Sequence, residues 1–202
     1  RSYLQCQSCH LVFVPPEFHL NSSMEKAEYD KHENNLEDEG YLTFLSRATN
    51  PLLEYLSDKN KDEVLGLDFG CGPAPALAKV IQDKGYKMEV YDPYFYDYEN
   101  VLLQQYDYIS CTEVIEHFNH PKLALDQLFN LLKPNAILVI MTKLVIDLER
   151  FKHWHYKNDP THISFFSEQT FSYFIKQLQT ENVNFSYKII GKDVIYIKKS
   201  TR

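Results

Sequence analysis

The sequence predicts an α/β fold: a mostly parallel sheet of six to seven strands, helices on both faces, and a C-terminal antiparallel hairpin. Three observations carry this. Short apolar runs alternate with amphipathic helical patterns from residue 64 to residue 178. The first run ends in a glycine-rich turn, Gly70-Cys71-Gly72, that opens a helix. The last two runs are joined only by Gly191-Lys192-Asp193, a hairpin connection. At 202 residues, 44% hydrophobic and 24% charged, the chain can build one full domain plus a small appendage, with an ordinary globular composition.

Residues 1–20 contain Cys, Pro and aromatic side chains without a helical period. Residues 21–40 are acidic, with Glu25, Glu28, Asp30, Glu33, Glu37, Asp38 and Glu39 against Lys26 and Lys31, which predicts an exposed helix or loop. Helical spacing starts at Tyr41 and continues through Phe44, Leu45, Ala48 and Leu52. Asn50-Pro51 reads as an N-cap and first-turn proline that restarts a helix through Leu56. Val64 to Phe69 is a buried strand, and Ala76, Leu77, Val80 and Ile81 mark the next helix. Lys87 to Tyr91 is the second strand, closed by Asp92-Pro93, and Tyr108 to Cys111 the third. Pro121 opens a helix carrying Leu125, Leu128 and Leu132. Pro134-Asn135 ends it before the β-branched-rich strand Ala136 to Met141. Ser167 is the N-cap expected for a helix with Phe171, Phe174, Ile175 and Leu178 on one face. Phe185 to Ile190 and Val194 to Lys198 form the terminal hairpin.

Charge and composition exclude several function classes. The net charge is −7, from 21 Lys+Arg against 28 Asp+Glu, and no basic stripe is visible, which argues against a nucleic-acid partner. The longest apolar run, Ala136 to Met141, is far short of the about 20 residues that span a bilayer. Leu11 to Val14 is cut off by Pro15-Pro16, too short for a signal-peptide core. Four cysteines make no disulfide framework, so a cytoplasmic location is expected. The chain starts at Arg1 rather than Met, which predicts a fragment or a processed product.

The most informative stretch is Asp68-Phe69-Gly70-Cys71-Gly72-Pro73-Ala74, between a buried strand and an amphipathic helix. Gly70 and Gly72 let the backbone turn tightly and a ligand lie against it. Asp92, 20 residues beyond Gly72, ends the second strand, where a carboxylate can accept both hydrogen bonds of a ribose diol. The dinucleotide pattern G-x-G-x-x-G fails, because its third glycine position holds Pro75. That disfavours a nicotinamide oxidoreductase.

Asp68-x-Gly70-x-Gly72 instead resembles motif I of the class I S-adenosylmethionine-dependent methyltransferases, with Ala74 where the family often has a third glycine. Tyr106-Asp107-Tyr108-Ile109-Ser110-Cys111-Thr112-Glu113-Val114-Ile115-Glu116-His117 resembles the family's "FDxIxxxEVxEH" strand. Leu131-Leu132-Lys133-Pro134-Asn135-Ala136 resembles its "LLKPGG" turn. Trp154 to Ser167 resembles the "W-x-Y-x-x-D-x-T-H-x-x-F-F-S" segment of a bacterial subgroup related to ubiquinone-type methyltransferases. Together the motifs cover roughly residues 41–199. The resemblance implies a Rossmann-like fold and an S-adenosylmethionine site built from Asp68, Gly70, Cys71, Gly72, Asp92, Pro93, Tyr94, Cys111, Thr112 and Glu113. One departure stands out. Only 14 residues separate Asp92 from Asp107, leaving room for at most a short edge strand over Asn100 to Gln104. Tyr91, Tyr94, Phe95, Tyr96 and Tyr98 are candidates for packing the adenine ring, or equally for capping the core.

Methyl transfer needs mainly proximity and alignment; a base is required only when the acceptor must lose a proton. His117, His155 and His162 are the candidate bases, each with a buried, loop-holding histidine as the alternative. His155 is singled out by the aromatic flanks Trp154 and Tyr156. Lys143 is a further candidate site residue, and Cys71 reads as apolar filler.

Cys6-Gln7-Ser8-Cys9-His10 fits a haem-attachment signature, a redox pair or one knuckle of a zinc ribbon. The missing signal peptide disfavours the first, and Pro15-Pro16 denies the second its helix. For the third, Cys6 and Cys9 supply only half of a tetrahedral zinc site, so further ligands are expected upstream and residues 1–20 are expected to be loosely held. The resulting division is a partial ribbon-like segment at 1–20, an N-terminal helical cap at 21–60 with Tyr29, Asn34 and Tyr41 as acceptor contacts, and a methyltransferase domain at 61–202. The expected function is methyl transfer to a small-molecule acceptor. The alternative is an inactive S-adenosylmethionine-binding regulatory or scaffold protein.

Overall fold

Six strands hydrogen-bond into the central sheet of the computed structural model, which describes residues 1–31 and 38–201. Before that sheet come β1 (Leu4–Gln5), β2 (Val12–Phe13), α1 (Ser22–Tyr29) and α2 (Glu39–Leu56). Then follow β3 (Leu65–Phe69), α3 (Ala76–Asp83), β4 (Lys87–Tyr91), β5 (Tyr106–Thr112), α4 (Pro121–Asn130) and β6 (Leu132–Met141). The chain continues through α5 (Leu148–Lys152), β7 (Ser164–Phe165), α6 (Glu168–Gln177), β8 (Val183–Ile190) and β9 (Val194–Thr201). The sheet runs β4-β3-β5-β6-β9-β8, parallel across its first four strands and antiparallel at β6-β9 and β9-β8.

The period-2 alternation of the buried strands divides the core between the two faces. Ile109, Cys111, Leu138 and Ile140 pack on one face with Leu125 and Leu128 of α4 and Phe171 and Phe174 of α6. Tyr108, Ile137, Val139 and Met141 pack on the other with Leu45, Ala48 and Leu52 of α2 and Leu77 and Ile81 of α3. The β5–β6 register shifts between Tyr106 and Tyr108, across the Lys133-Pro134-Asn135-Ala136 turn. Asn135 has φ 63°, so asparagine takes the left-handed conformation there. Ser167 caps α6 as expected, its hydroxyl accepting from the Thr170 N–H at 3.2 Å.

Three sequence expectations are corrected. Pro51 does not restart a helix, because α2 runs unbroken through it from an Asp38 cap. Thr49, Pro51 and Leu52 are all buried there, and that packing outweighs a mid-helix proline cost of about 3 kcal/mol. Residues 100–104 form no edge strand. A 3-10 turn at Glu99–Leu103 buries Val101 and leaves Leu103 exposed, without the alternation a strand needs. Residues 1–20 are not loosely held. β1 and β2 pair with each other and β2 pairs with β7, while Val12 and Val14 bury against Val145, Phe151, Ile163 and Phe165. Asn34, Glu33, Glu37 and His32 lie outside the described residues.

Candidate active site

The carboxyl ends of β3, β4 and β5 meet at a cavity of about 590 Å³, where ligands bind in open α/β sheets. The glycine turn forms one side. Gly70 and Gly72 have φ 75° and 65°, and a Cβ on Gly70 would lie 2.4 Å from a methyl of Val114. Gly70 N–H donates to the Tyr91 carbonyl at 2.8 Å, tying the turn to the end of β4. Asp92 makes a second tie. Its Oδ2 accepts the Gly72 N–H at 3.0 Å and its Oδ1 the Tyr94 N–H at 2.9 Å. Asp68, at the end of β3, is buried and accepts the Ser110 hydroxyl at 2.6 Å. Burial pushes its carboxyl up to about 6, against the opposing pull of that hydrogen bond.

Glu113 follows β5 with φ 53°, a left-handed turn that directs the chain across the sheet end. Its Oε1 is buried with no hydrogen-bond partner among the described residues, and Tyr156 Oη lies 3.4 Å from its Oε2. Burial, with Glu116 nearby, pushes Glu113 up to about 8. Glu116 is completely buried and raised by that burial. Its carboxylate accepts from the Tyr156 hydroxyl on one oxygen and from the Thr142 hydroxyl, at 3.0 Å, on the other.

The far wall holds two imidazoles with ring centroids 4.8 Å apart. His117 Nδ1–H donates to the Thr161 carbonyl at 3.1 Å, and His162 Nδ1–H to the Tyr156 carbonyl at 2.7 Å. These carbonyls can only accept, so each sets the tautomer of its ring. Burial, then the neighbouring His117, lowers the pKa of His162, which keeps it neutral near pH 7. Asp159 is pushed up by burial, but two hydrogen bonds from Thr161 and the electrostatic pull of the two imidazoles hold it below its ordinary value. α1 closes the wall, where Glu25 accepts the hydroxyls of Tyr29 at 2.8 Å and Tyr94 at 2.7 Å. Glu116, His117 and His162 each bring a potential metal-ligand atom within 4.8 Å of the others, yet both Glu116 oxygens are already engaged.

Over residues 41–184, more than half of its length, the sequence matches a family described as a methyltransferase domain. The chain belongs to that methyltransferase domain family. No curated protein sequence matches it. Among solved structures the domain is similar to a SAM-dependent methyltransferase from Archaeoglobus fulgidus, at TM-score 0.53 and 15% identity, covering 79% of this chain and 99% of that one. It is also similar to the plantazolicin methyltransferase BpumL in complex with SAH, at TM-score 0.56 and 15% identity, covering 89% and 90%. A third is the magnesium protoporphyrin IX methyltransferase of Synechocystis with bound SAH, at TM-score 0.52 and 14% identity, covering 90% and 96%. At these identities the likeness is one of fold.

Within this methyltransferase domain the sequence-based site is largely brought together. Asp68, Gly70, Cys71, Gly72, Asp92, Pro93, Tyr94, Thr112, Glu113, His117 and His162 all line the cavity. Cys111 does not, because its side chain points into the core and is fully buried, with the thiol pushed well up by that burial. His155 sits exposed on a 3-10 turn outside the cavity. Its flank Trp154 packs instead on Phe151, Tyr156 and Phe165. Of the aromatic run, Tyr91, Tyr94 and Phe95 line the cavity, whereas Tyr96 and Tyr98 do not. Lys143 lies over the Tyr156 ring at 4.7 Å, outside the lining.

Cys6 and Cys9 form the turn between β1 and β2, closed by His10 N–H donating to the Cys6 carbonyl at 3.0 Å. No third metal-ligating side chain joins them among the described residues. His19 is committed to the Val14 carbonyl at 2.8 Å.

Sequence reasoning missed Glu25 and Asp159. Glu25 was hidden in an acidic run, although its i,i+4 spacing to Tyr29 places the two on one helix face.

Proposed function

We propose that the domain transfers a methyl group from S-adenosylmethionine to a small-molecule acceptor. The carrying observation is Glu113 Oε1, a buried carboxyl oxygen with no partner among the described residues, on a cavity that also holds the left-handed Gly70 and Gly72 turn. Raised to about 8, this carboxyl holds its proton near pH 7 and gives it up when a cationic ligand group favours the charged form. The residues present fit the cofactor: Glu113 for the methionine ammonium, Asp92 for the ribose diol, and Tyr91, Tyr94 and Phe95 for the adenine ring. The SAH held by two solved structures of the same fold supports this reading. Bound here, S-adenosylmethionine supplies a methyl already activated by its sulfonium.

The protein's own task is alignment and exclusion of water, with His162 positioned as the base that takes an acceptor proton. Tyr156, held by Glu116, orients that ring through its carbonyl. His117 stands beside it as the second candidate, and His155 is set aside. The 61–202 region carries transfer and 21–60 caps the acceptor side. We read the Cys6–Cys9 turn at 1–20 as half of a zinc site on the strength of its C-x-x-C spacing and of the Ser8 and Cys9 backbone groups that hydrogen-bond the Cys6 thiol. Titration calorimetry tests the central reading: saturable binding of S-adenosylmethionine and none of NAD is the expected result. A folded protein that gives no heat with S-adenosylmethionine overturns it. Turnover to S-adenosylhomocysteine with a metabolite extract then tests transfer.

A further inference from the structure

The cavity is lined by five carboxylates, Glu25, Asp68, Asp92, Glu113 and Asp159, and by no Lys or Arg among the described residues. Three cations stand just outside the lining: Lys26 pairs with Asp30 and lies over the Phe95 ring at 5.0 Å, and Arg1 and Lys143 are the others. Arg1 donates to the Asp159 and His162 carbonyls, and Lys143 lies over Tyr156. Asp68, Asp92 and Glu113 belong to the strand ends assigned above to the cofactor. Glu25 and Asp159 remain for the acceptor.

These two acids flank a run of rings. Glu25 holds Tyr29 on the acceptor side and, toward the cofactor side, Tyr94, the two ring centroids being 5.4 Å apart. Tyr29 meets His117 edge-on at 5.3 Å. His117 meets His162, whose Nε2 is 3.8 Å from Asp159 Oδ2.

We infer that the acceptor is an amine carried on a planar ring, recognised as its cation by Glu25, Asp159 and the aromatic wall between them. The inference rests on the methyl-transfer reading above. A carboxylate or phosphate acceptor would leave water for a site of like charge with no cation to pair it. A phenol would have to ionise against the same field. An ammonium gains from both acids and from the faces of the rings, which also stack on a planar substrate. For transfer, the ammonium gives one proton to His162 Nε2. The nitrogen lone pair then becomes the new N–C bond, and the electron pair of the broken C–S bond stays on sulfur.

The test uses the full chain saturated with S-adenosylhomocysteine, after calorimetry has shown that this complex forms; failure at that first step refutes the methyl-transfer reading instead. Three probes share one ring and differ in charge: phenethylamine, 2-phenylethanol and phenylacetate. Phenethylamine is expected to bind at least about tenfold tighter than phenylacetate, with the alcohol between. The paired change Glu25→Gln, Asp159→Asn is expected to shrink that ratio at least threefold, since it removes both charges while each side chain keeps one acceptor oxygen for its tyrosine or threonine partner. With tyramine and S-adenosylmethionine, mass spectrometry should place the methyl on nitrogen. Equal affinity across the three probes, preference for phenylacetate, no binding of any at millimolar concentration, or O-methylation of tyramine each overturns the proposal.

Discussion

Asp92→Ala is the most demanding test of the cavity. The carboxylate is only 8% exposed and accepts three backbone N–H groups, from Gly72 at 3.0 Å, Tyr94 at 2.9 Å and Phe95 at 3.3 Å. Hydrogen bonds to a charged acceptor are worth about 1.5–3 kcal/mol each. Water entering the space recovers part of this for donors at the cavity surface. Counting the two shorter bonds at the low end gives a loss of about 2–3 kcal/mol, which a domain stable by about 5–15 kcal/mol survives. Cofactor affinity has a second reason to fall: the ribose contact proposed for Asp92 is removed while the Gly72 turn loses its anchor. We expect the S-adenosylmethionine dissociation constant to rise at least tenfold, which is about 1.4 kcal/mol. Titration calorimetry gives the constant, and a urea melt followed by circular dichroism gives the stability. Asp92→Asn keeps the shape but turns an amide donor toward one of the backbone donors, so it should fall short of wild type in both assays. A folded Asp92→Ala protein that binds with an unchanged constant would refute the assignment.

Two further outcomes follow from the same geometry. Gly70→Ala places a Cβ against Val114 in a backbone conformation with φ 75°, so a loss of about 1–3 kcal/mol and of cofactor binding is expected. Adding Val114→Ala should recover only the part due to the clash, as read by urea denaturation of the single and double variants. Asp68 and Glu113 have carboxyls raised to about 6 and about 8, above the ordinary 3.8 and 4.5. Their stabilising contribution is complete below the ordinary values and is lost as pH rises through the raised ones. The ligand-free protein should therefore melt at a lower temperature at pH 8.5 than at pH 5.5. Glu113→Gln should flatten the upper part of that slope, and should abolish the proton release expected when a cationic ligand reaches Glu113 at pH 7, measured by calorimetry in buffers of different ionisation enthalpy. A wild-type melting temperature that rises across this range contradicts the argument.

Much of the fold was legible in the sequence because strand burial and helix amphipathicity leave periodic marks. Val64 to Phe69, Ala136 to Met141 and the terminal hairpin stand out in this way. The part of the cavity proposed for the cofactor was legible for a related reason. Asp68, Gly70, Gly72, Asp92 and Glu113 sit at strand ends or in the turn between strand and helix, and strand order alone carries those ends to one edge of the sheet. The misreadings occur where a local cue competes with packing. Asn50-Pro51 looks like a helix start until α2 buries it. Cys111 belongs to a motif that reaches the site, but the alternation of β5 turns its side chain into the core between Ser110, which meets Asp68, and Thr112, which lines the cavity.

The sequence by itself determined the layered α/β architecture, the glycine turn with its acidic partner Asp92, and the family. These are local patterns, repeated at the spacing of one strand or one helix turn. Only the tertiary structure decided which histidines face the cavity. His155 and His162 lie seven residues apart in one motif, yet one is exposed on a 3-10 turn and the other is buried against His117. The same holds for Glu25 and Asp159, which are distant in sequence and reach one wall because α1 packs over Tyr94 while β7 pairs with the N-terminal β2. No local period records such a meeting. It is set by burial of side chains from separate elements, a free energy that depends on the whole chain being folded.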